Sequence, residues 1–189
     1  MKNIAIFASG SGTNAENIAR YFAGGKTVNV SVVLSNNKNV KVHERVNRLG
    51  IPSFVFTGDE FTDGKPVIDK LAGYGVDLIV LAGFMNKISV ALLRAFPGKI
   101  INIHPALLPR HGGKGMYGMH VHEAVVEAGE KESGITIHYI NERYDEGEII
   151  FQATCPVLPS DTPEDVAAKV HALEYKHYPS VIERLLAGR

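Results

Sequence analysis

The chain has 189 residues, and 20 Lys plus Arg balance 20 Asp plus Glu, so its formal net charge is zero. That length supports one core-forming domain, 1–189, without covalent staples, and the charge balance excludes the basic footprint of a polyanion binder. The one cysteine, Cys155, excludes an internal disulfide and a Cys-rich zinc site; within IIFQATCPV it is expected to be buried and inert.

No apolar run approaches the roughly eighteen residues of a membrane span. The opening MKNIAIFASGSG lacks the longer apolar region of a secretory leader. A cytoplasmic protein with no membrane partner is expected.

The first part of the chain alternates two kinds of segment. Short apolar runs at Asn3–Ala8, Val28–Leu34, Ser53–Phe56, Leu78–Leu81 and Ile100–Ile103 read as strands. They are continuous rather than alternating, as strands covered on both faces are. Between them, Asn14–Phe22, Val40–Leu49, Val67–Tyr74 and Val90–Phe96 carry helical spacing. After His104, Pro105 and Pro109 delay the next element, and HGGKGMYG reads as a loop. A helix over His120–Ala128 follows, then strands Ser133–Asn141 and Glu148–Val157 as antiparallel neighbours. Ser160-Asp161-Thr162-Pro163-Glu164 starts a final helix to Leu186, with a bend expected before Pro179. The fold class is α/β: a single-domain, doubly wound, mostly parallel Rossmann-like sheet, with an antiparallel C-terminal strand region and a long C-terminal helix.

Ser9-Gly10-Ser11-Gly12-Thr13-Asn14-Ala15 joins the first strand to the first helix. Glycines there let backbone approach a ligand, and a helix start offers N–H groups to phosphate; the plain alternative is a tight turn with no ligand. The G-x-G-x-x-A spacing also fits a dinucleotide fingerprint, but the second strand ends VVLSNNKN, with no acid for ribose hydroxyls. No G-K-[ST] follows, so this is not a Walker loop.

GKIINIHPALLPR carries the strongest chemical signal. Asn102 and His104 share one strand face at the carboxyl end, where open α/β sheets bind ligands. One offers an amide donor to a developing oxyanion and the other an imidazole that titrates near neutrality; polar residues tying down a loop are the bland alternative. Thr136 and His138 share a face of a later strand, and Asp145 follows in the turn. A carboxylate can orient an imidazole, although spacing alone does not bring Asp145 to His104. His120 and His122 would point in different directions on a helix, which argues against a metal site.

Four ordered pieces, ASGSGTN, LAGFM, INIHPALLP and GITIHYINERYDEG, resemble the phosphoribosylglycinamide formyltransferases of the folate-dependent formyltransferase family, over essentially the whole chain. The resemblance implies transfer of a formyl group from 10-formyltetrahydrofolate to the amine of glycinamide ribonucleotide, in purine biosynthesis and without metal. Asn102 and His104 resemble the catalytic pair and Asp145 the essential carboxylate. Gly12, Thr13 and Asn14 resemble the phosphate cradle, and Glu174 a contact to the ribonucleotide. Lys65, Met85, Asn86, Lys87, Ile88, Asn102, Arg143 and Tyr144 fall on the folate side. Lys65 stands where the family often has arginine, so it keeps the charge and loses the bidentate fork.

NKIS after FM departs from the usual arginine and larger apolar residue, and the loop His111–His120 is longer than the common form. Small-molecule partners are implied, with no nucleic acid, in a monomer or homodimer. A formyltetrahydrofolate deformylase shares the catalytic stretch, but normally carries a further N-terminal domain, for which a strand beginning at Asn3 leaves no expected room. Formyltransferases acting on methionyl-tRNA or a sugar nucleotide, and a non-enzymatic nucleotide-binding module, are the remaining alternatives.

Overall fold

The computed structural model describes residues 1–188. The strands are β1 (Lys2–Phe7), β2 (Val28–Ser35), β3 (Ser53–Val55), β4 (Leu78–Leu81), β5 (Ile100–His104), β6 (Glu132–Tyr139) and β7 (Ile149–Pro156), with helices in every connection except that between β6 and β7. The helices are α1 (Thr13–Phe22), α2 (Lys41–Asn47), α3 (Gly58–Asp63), α4 (Lys65–Gly73), α5 (Val90–Ala95), α6 (Met119–Glu127) and α7 (Pro163–Ala187). The strands form one sheet in the order β3-β2-β1-β4-β5-β6-β7. β1 pairs in parallel with both β2 and β4, β2 pairs in parallel with β3, and β6 pairs antiparallel with β7. The fold is therefore the Rossmann-like, mostly parallel sheet expected, with its antiparallel end and long last helix.

The chain divides into two compact units. The first comprises Met1–Ile101 and the segment from Pro179 onward. Ile4 through Ala8 are completely buried, as are Val32, Val33, Leu78, Ile79 and Val80. Strands covered on both faces have no solvent side to make polar, which is why these runs are continuous. Sequence order reverses across β1, with β2 on one side and β4 on the other. That switch point opens a crevice at the strands' carboxyl ends, and the ends are tied there: Ser9 N–H donates to the Gly83 carbonyl at 3.0 Å. Phe7, Phe56, Phe61 and Phe84 pack ring on ring beneath it.

The second unit is Asn102–Tyr178. β6 is buried from Ser133 to His138, while β7 alternates between exposed and half-buried. Gly134 belongs in β6 because a Cβ there would lie 2.0 Å from the Ala153 carbonyl oxygen.

The sequence reading needs two corrections, at α3 and at Cys155. α3 was not anticipated, although Thr57 and Glu60 form a capping box around its start. Its six residues bury only Phe61, too few for a periodic signal. The last helix is met as expected: α7 runs from Pro163 to Ala187 with Pro179 inside it. Cys155 is half-buried, not buried, and desolvation pushes its thiol above the ordinary value, against the lowering influence of Lys169.

Candidate active site

β5 ends at His104, and its polar residues meet a cluster drawn from β6, from the turn after it and from the loop after β5. His104 is almost fully buried, with 4% of its side chain exposed. Its Nε2 lies 2.7 Å from the His111 carbonyl oxygen. A carbonyl only accepts, so Nε2 carries the proton. Nδ1 then faces Asp145, whose Oδ2 is 3.6 Å away.

His138, wholly buried, joins the cluster from β6. Its Nδ1 sits 3.0 Å from the Tyr139 carbonyl oxygen, which fixes the proton on that nitrogen. Nε2 is left to accept from the Asn102 amide at 3.3 Å. Asp145 Oδ1 is 3.7 Å from the same nitrogen. Burial holds the His138 imidazolium at a lowered pKa, opposed by the Tyr139 carbonyl and by Asp145. A neutral ring agrees with the accepting role of Nε2.

Asp145 reaches the cluster through an unusual backbone, with φ of +54°. Its Oδ2 accepts from Gly113 N–H at 2.9 Å. Gly112 allows that approach: a Cβ there would lie 2.4 Å from Leu108 Cδ2 and 3.4 Å from Asp145 Cβ. Thr136 secures the loop between. Its hydroxyl donates to the Ala106 carbonyl at 2.7 Å and accepts from Leu108 N–H at 3.0 Å. Asn102, His104, Asp145 and His138 thus form one contiguous polar cluster inside the second unit, with two carbonyls deciding the tautomers of its two histidines.

In the first unit, Gly12 takes φ +74° at the head of α1, and no side chain caps that end. A helix start without a side-chain cap directs first-turn N–H groups outward, an arrangement suited to an anion. A Cβ at Gly12 would lie 2.4 Å from Val42 Cγ2 and 2.7 Å from Val42 Cα, so only glycine fits against α2. Arg45 braces the loop from α2. Its Nε donates to the Ser11 carbonyl at 2.9 Å, and its Nη1 pairs with Glu16 at 2.6 Å. Arg20 and then Arg45 hold the Glu16 carboxyl below its usual range.

The family model described as formyl transferase matches residues 2–182. A phosphoribosylglycinamide formyltransferase of Haemophilus influenzae is 37% identical over 100% of this chain and 89% of its own length. The chain belongs to the phosphoribosylglycinamide formyltransferase family. The chloroplastic phosphoribosylglycinamide formyltransferase of Arabidopsis thaliana is 45% identical over 100% of this chain, which spans 66% of that relative, just under two thirds. The crystal structure of glycinamide ribonucleotide transformylase 1 from Symbiobacterium toebii superposes with a TM-score of 0.90 at 35% identity, covering 100% of this chain and 89% of that one.

Thr13 and Asn14 open α1. Met85 is 55% exposed on the loop after β4, and its N–H donates to Ser9 Oγ at 3.0 Å. Asn86 accepts from Asn36 at 3.3 Å, Lys87 is exposed and Ile88 is buried. Lys65 begins α4 and pairs with Asp69 at 2.5 Å on an exposed face; the preceding Gly64 packs against Ala91, just past Ile88. Arg143 and Tyr144 are exposed on the turn that carries Asp145, and Arg143 pairs with Glu146 at 3.3 Å. Glu174 is buried on α7, 6% exposed. Among the described residues no group of acidic, His or Cys side chains is arranged to hold a metal ion, and no helix is long and apolar enough to cross a membrane.

Sequence reasoning missed four contributors. His138 stood out only as a strand neighbour of Thr136, and nothing local ties it to Asn102. The His111 carbonyl and the Gly113 N–H are backbone groups, which residue types do not reveal. Arg45 lies within the expected helix Val40–Leu49 and was not singled out.

Proposed function

We propose that this chain transfers the formyl group of 10-formyltetrahydrofolate to the primary amine of N1-(5-phospho-β-D-ribosyl)glycinamide, releasing tetrahydrofolate. The observation that carries the reading is the convergence of Asn102, His104 and Asp145 in a chain of this family. The partners are these two small molecules, handled by a cytoplasmic monomer or homodimer with no nucleic acid.

The residues suit the chemistry. Attack of the amine on the formyl carbon puts negative charge on the formyl oxygen. The Asn102 amide nitrogen has two N–H groups, and His138 accepts one. The second is aimed at the oxyanion by that bond, a preorganised donor of the kind worth about 3 kcal/mol in the transition state. His104 contributes through Nδ1, because Nε2 already donates to the His111 carbonyl. Protonation of Nδ1 beside Asp145 places positive charge near the oxyanion and gives the proton released by the amine a path to the leaving N10. Gly113 N–H holds the Asp145 carboxylate for that exchange.

Gly12, Thr13 and Asn14 bind the phosphate on the α1 head, so that remote binding energy aligns the amine. Glu174 contacts the ribonucleotide. Met85, Asn86, Lys87 and Ile88 form one folate wall, and Arg143 and Tyr144 form the other. Lys65 meets the folate tail as a point charge shared with Asp69.

The test mixes purified protein with 10-formyltetrahydrofolate and follows the deformylated folate with and without the ribonucleotide. Turnover only in its presence is expected. Equal turnover in both would mean water is the acceptor and the chain is a deformylase. Binding without turnover in either would leave a nucleotide-binding module.

A further inference from the structure

The His111 carbonyl that fixes the His104 proton belongs to a residue held in a costly conformation. His111 has φ of +53°, a region that non-glycine residues enter at a cost of about 1 kcal/mol or more. Something must hold it there. Its ring does so: Nε2 lies 2.9 Å from Glu130 Oε1. Glu130 is fixed in turn. It follows the end of α6, and its N–H donates to the Val125 carbonyl at 3.2 Å. Its other oxygen receives Arg110 Nη1 at 2.7 Å, and Arg110 also reaches Glu132 at 3.7 Å. Ala106, Leu107 and Val125 line the hollow around the pair. The His111 and Glu130 side chains are only 17% and 19% exposed, so screening by solvent is reduced. Hydrogen bonding to His111, then Arg110, keeps Glu130 below the usual carboxylate range and therefore ionised.

We propose that His111 and Glu130 are a positioning pair for His104: Glu130 anchors the His111 ring, and the anchored residue keeps its backbone carbonyl on His104 Nε2. Neither side chain touches the reacting atoms. Their effect is to decide which His104 nitrogen faces Asp145, so the inference rests on His104 acting through Nδ1. Without the anchor, His111 relaxes out of the left-handed region, the carbonyl leaves, and His104 samples both tautomers. Outer partners that fix a ring in this way are worth about tenfold in activity.

Three variants separate anchoring from backbone conformation. His111→Gly accepts φ of +53° without strain but has no ring. Glu130→Ala removes the acceptor while residue 111 stays a histidine. Glu130→Gln keeps an acceptor oxygen and serves as the rescue. Each is read by the imidazole nitrogen NMR signature of His104 in the ligand-free protein and by kcat and KM. His111→Gly and Glu130→Ala are expected to replace the Nε2–H signature with a tautomer mixture. They should also lower kcat about tenfold with both KM values near the parent's, while Glu130→Gln stays close to the parent on both readouts. A parent-like His104 signature in both His111→Gly and Glu130→Ala overturns the proposal, and either variant suffices if the other does not fold. His104→Ala distinguishes the two levels: parent turnover in that variant, with a shifted signature in His111→Gly, would remove the catalytic reading and leave the positioning intact.

Discussion

Removing the Asn102 amide tests the oxyanion role, and removing its partner tests how that amide is aimed. Asn102→Ala deletes both N–H groups, the one that His138 accepts at 3.3 Å and the one proposed to meet the formyl oxygen. The lost donor predicts a fall in kcat of about a hundredfold, from roughly 3 kcal/mol of transition-state stabilisation. His138→Phe keeps a ring in the wholly buried site but cannot accept. The Asn102 amide remains and loses its guide, a neutral hydrogen bond worth about 1 kcal/mol, so kcat should fall about fivefold.

The double variant decides the matter. If His138 works through Asn102, adding His138→Phe to Asn102→Ala changes kcat no further. Single-turnover formyl transfer at saturating substrates is the assay, with urea unfolding to confirm that each variant is folded. Losses that multiply would show His138 acting by another route, through Asp145 Oδ1 at 3.7 Å. A parent-like rate for Asn102→Ala would refute the oxyanion assignment outright.

Three further outcomes are expected. Gly12→Ala should destabilise the fold by about 2–4 kcal/mol in urea unfolding, from left-handed strain and a Cβ pressed on the α2 backbone, and should weaken ribonucleotide binding. A loss below about 1 kcal/mol would mean that α2 yields to the added methyl. Asp145→Asn should lower kcat by about a hundredfold while the Gly113 bond survives through the amide oxygen; an unaltered pH–rate profile would make Asp145 a bystander. His122, buried on α6, has its pKa lowered to about 4, by burial first and then by His171 and His104. The folded value lies below the unfolded one, so its contribution is present above pH 6.5 and is lost as pH falls toward 4, by at most about 3 kcal/mol. Urea midpoints at pH 7 and pH 4.5 should therefore diverge more for the parent than for His122→Leu, and equal slopes would rule out His122 as the cause.

What the sequence made legible follows from where the information lies. The parallel strands were readable because burial on both faces writes itself as unbroken Ile and Val runs, as in Leu78–Leu81. The pairing of Asn102 with His104 was readable because a strand's two-residue period needs no tertiary knowledge. α3 was hidden because a six-residue helix has too little face to show periodicity, although Thr57 and Glu60 marked its start.

Asp145 was singled out by the family resemblance and not by its own surroundings, for a different reason. Its place depends on how the turn between β6 and β7 folds back, and backbone sterics decide that. Gly147 passes so close to the Tyr139 carbonyl oxygen that a Cβ would lie 1.6 Å from it. Two residues earlier, Asp145 turns through φ of +54°. Neither fact is a property of residue type, and Asp145 stands among several acids in that stretch. The strand positions proposed to carry the chemistry can therefore be read locally, while the groups that set the proton positions of their neighbours, such as the carbonyls of His111 and Tyr139, exist only once the chain has folded. That is why substitutions at Gly147 or His111, residues with no chemistry of their own in the reaction, should disturb catalysis as surely as a change at the strand end.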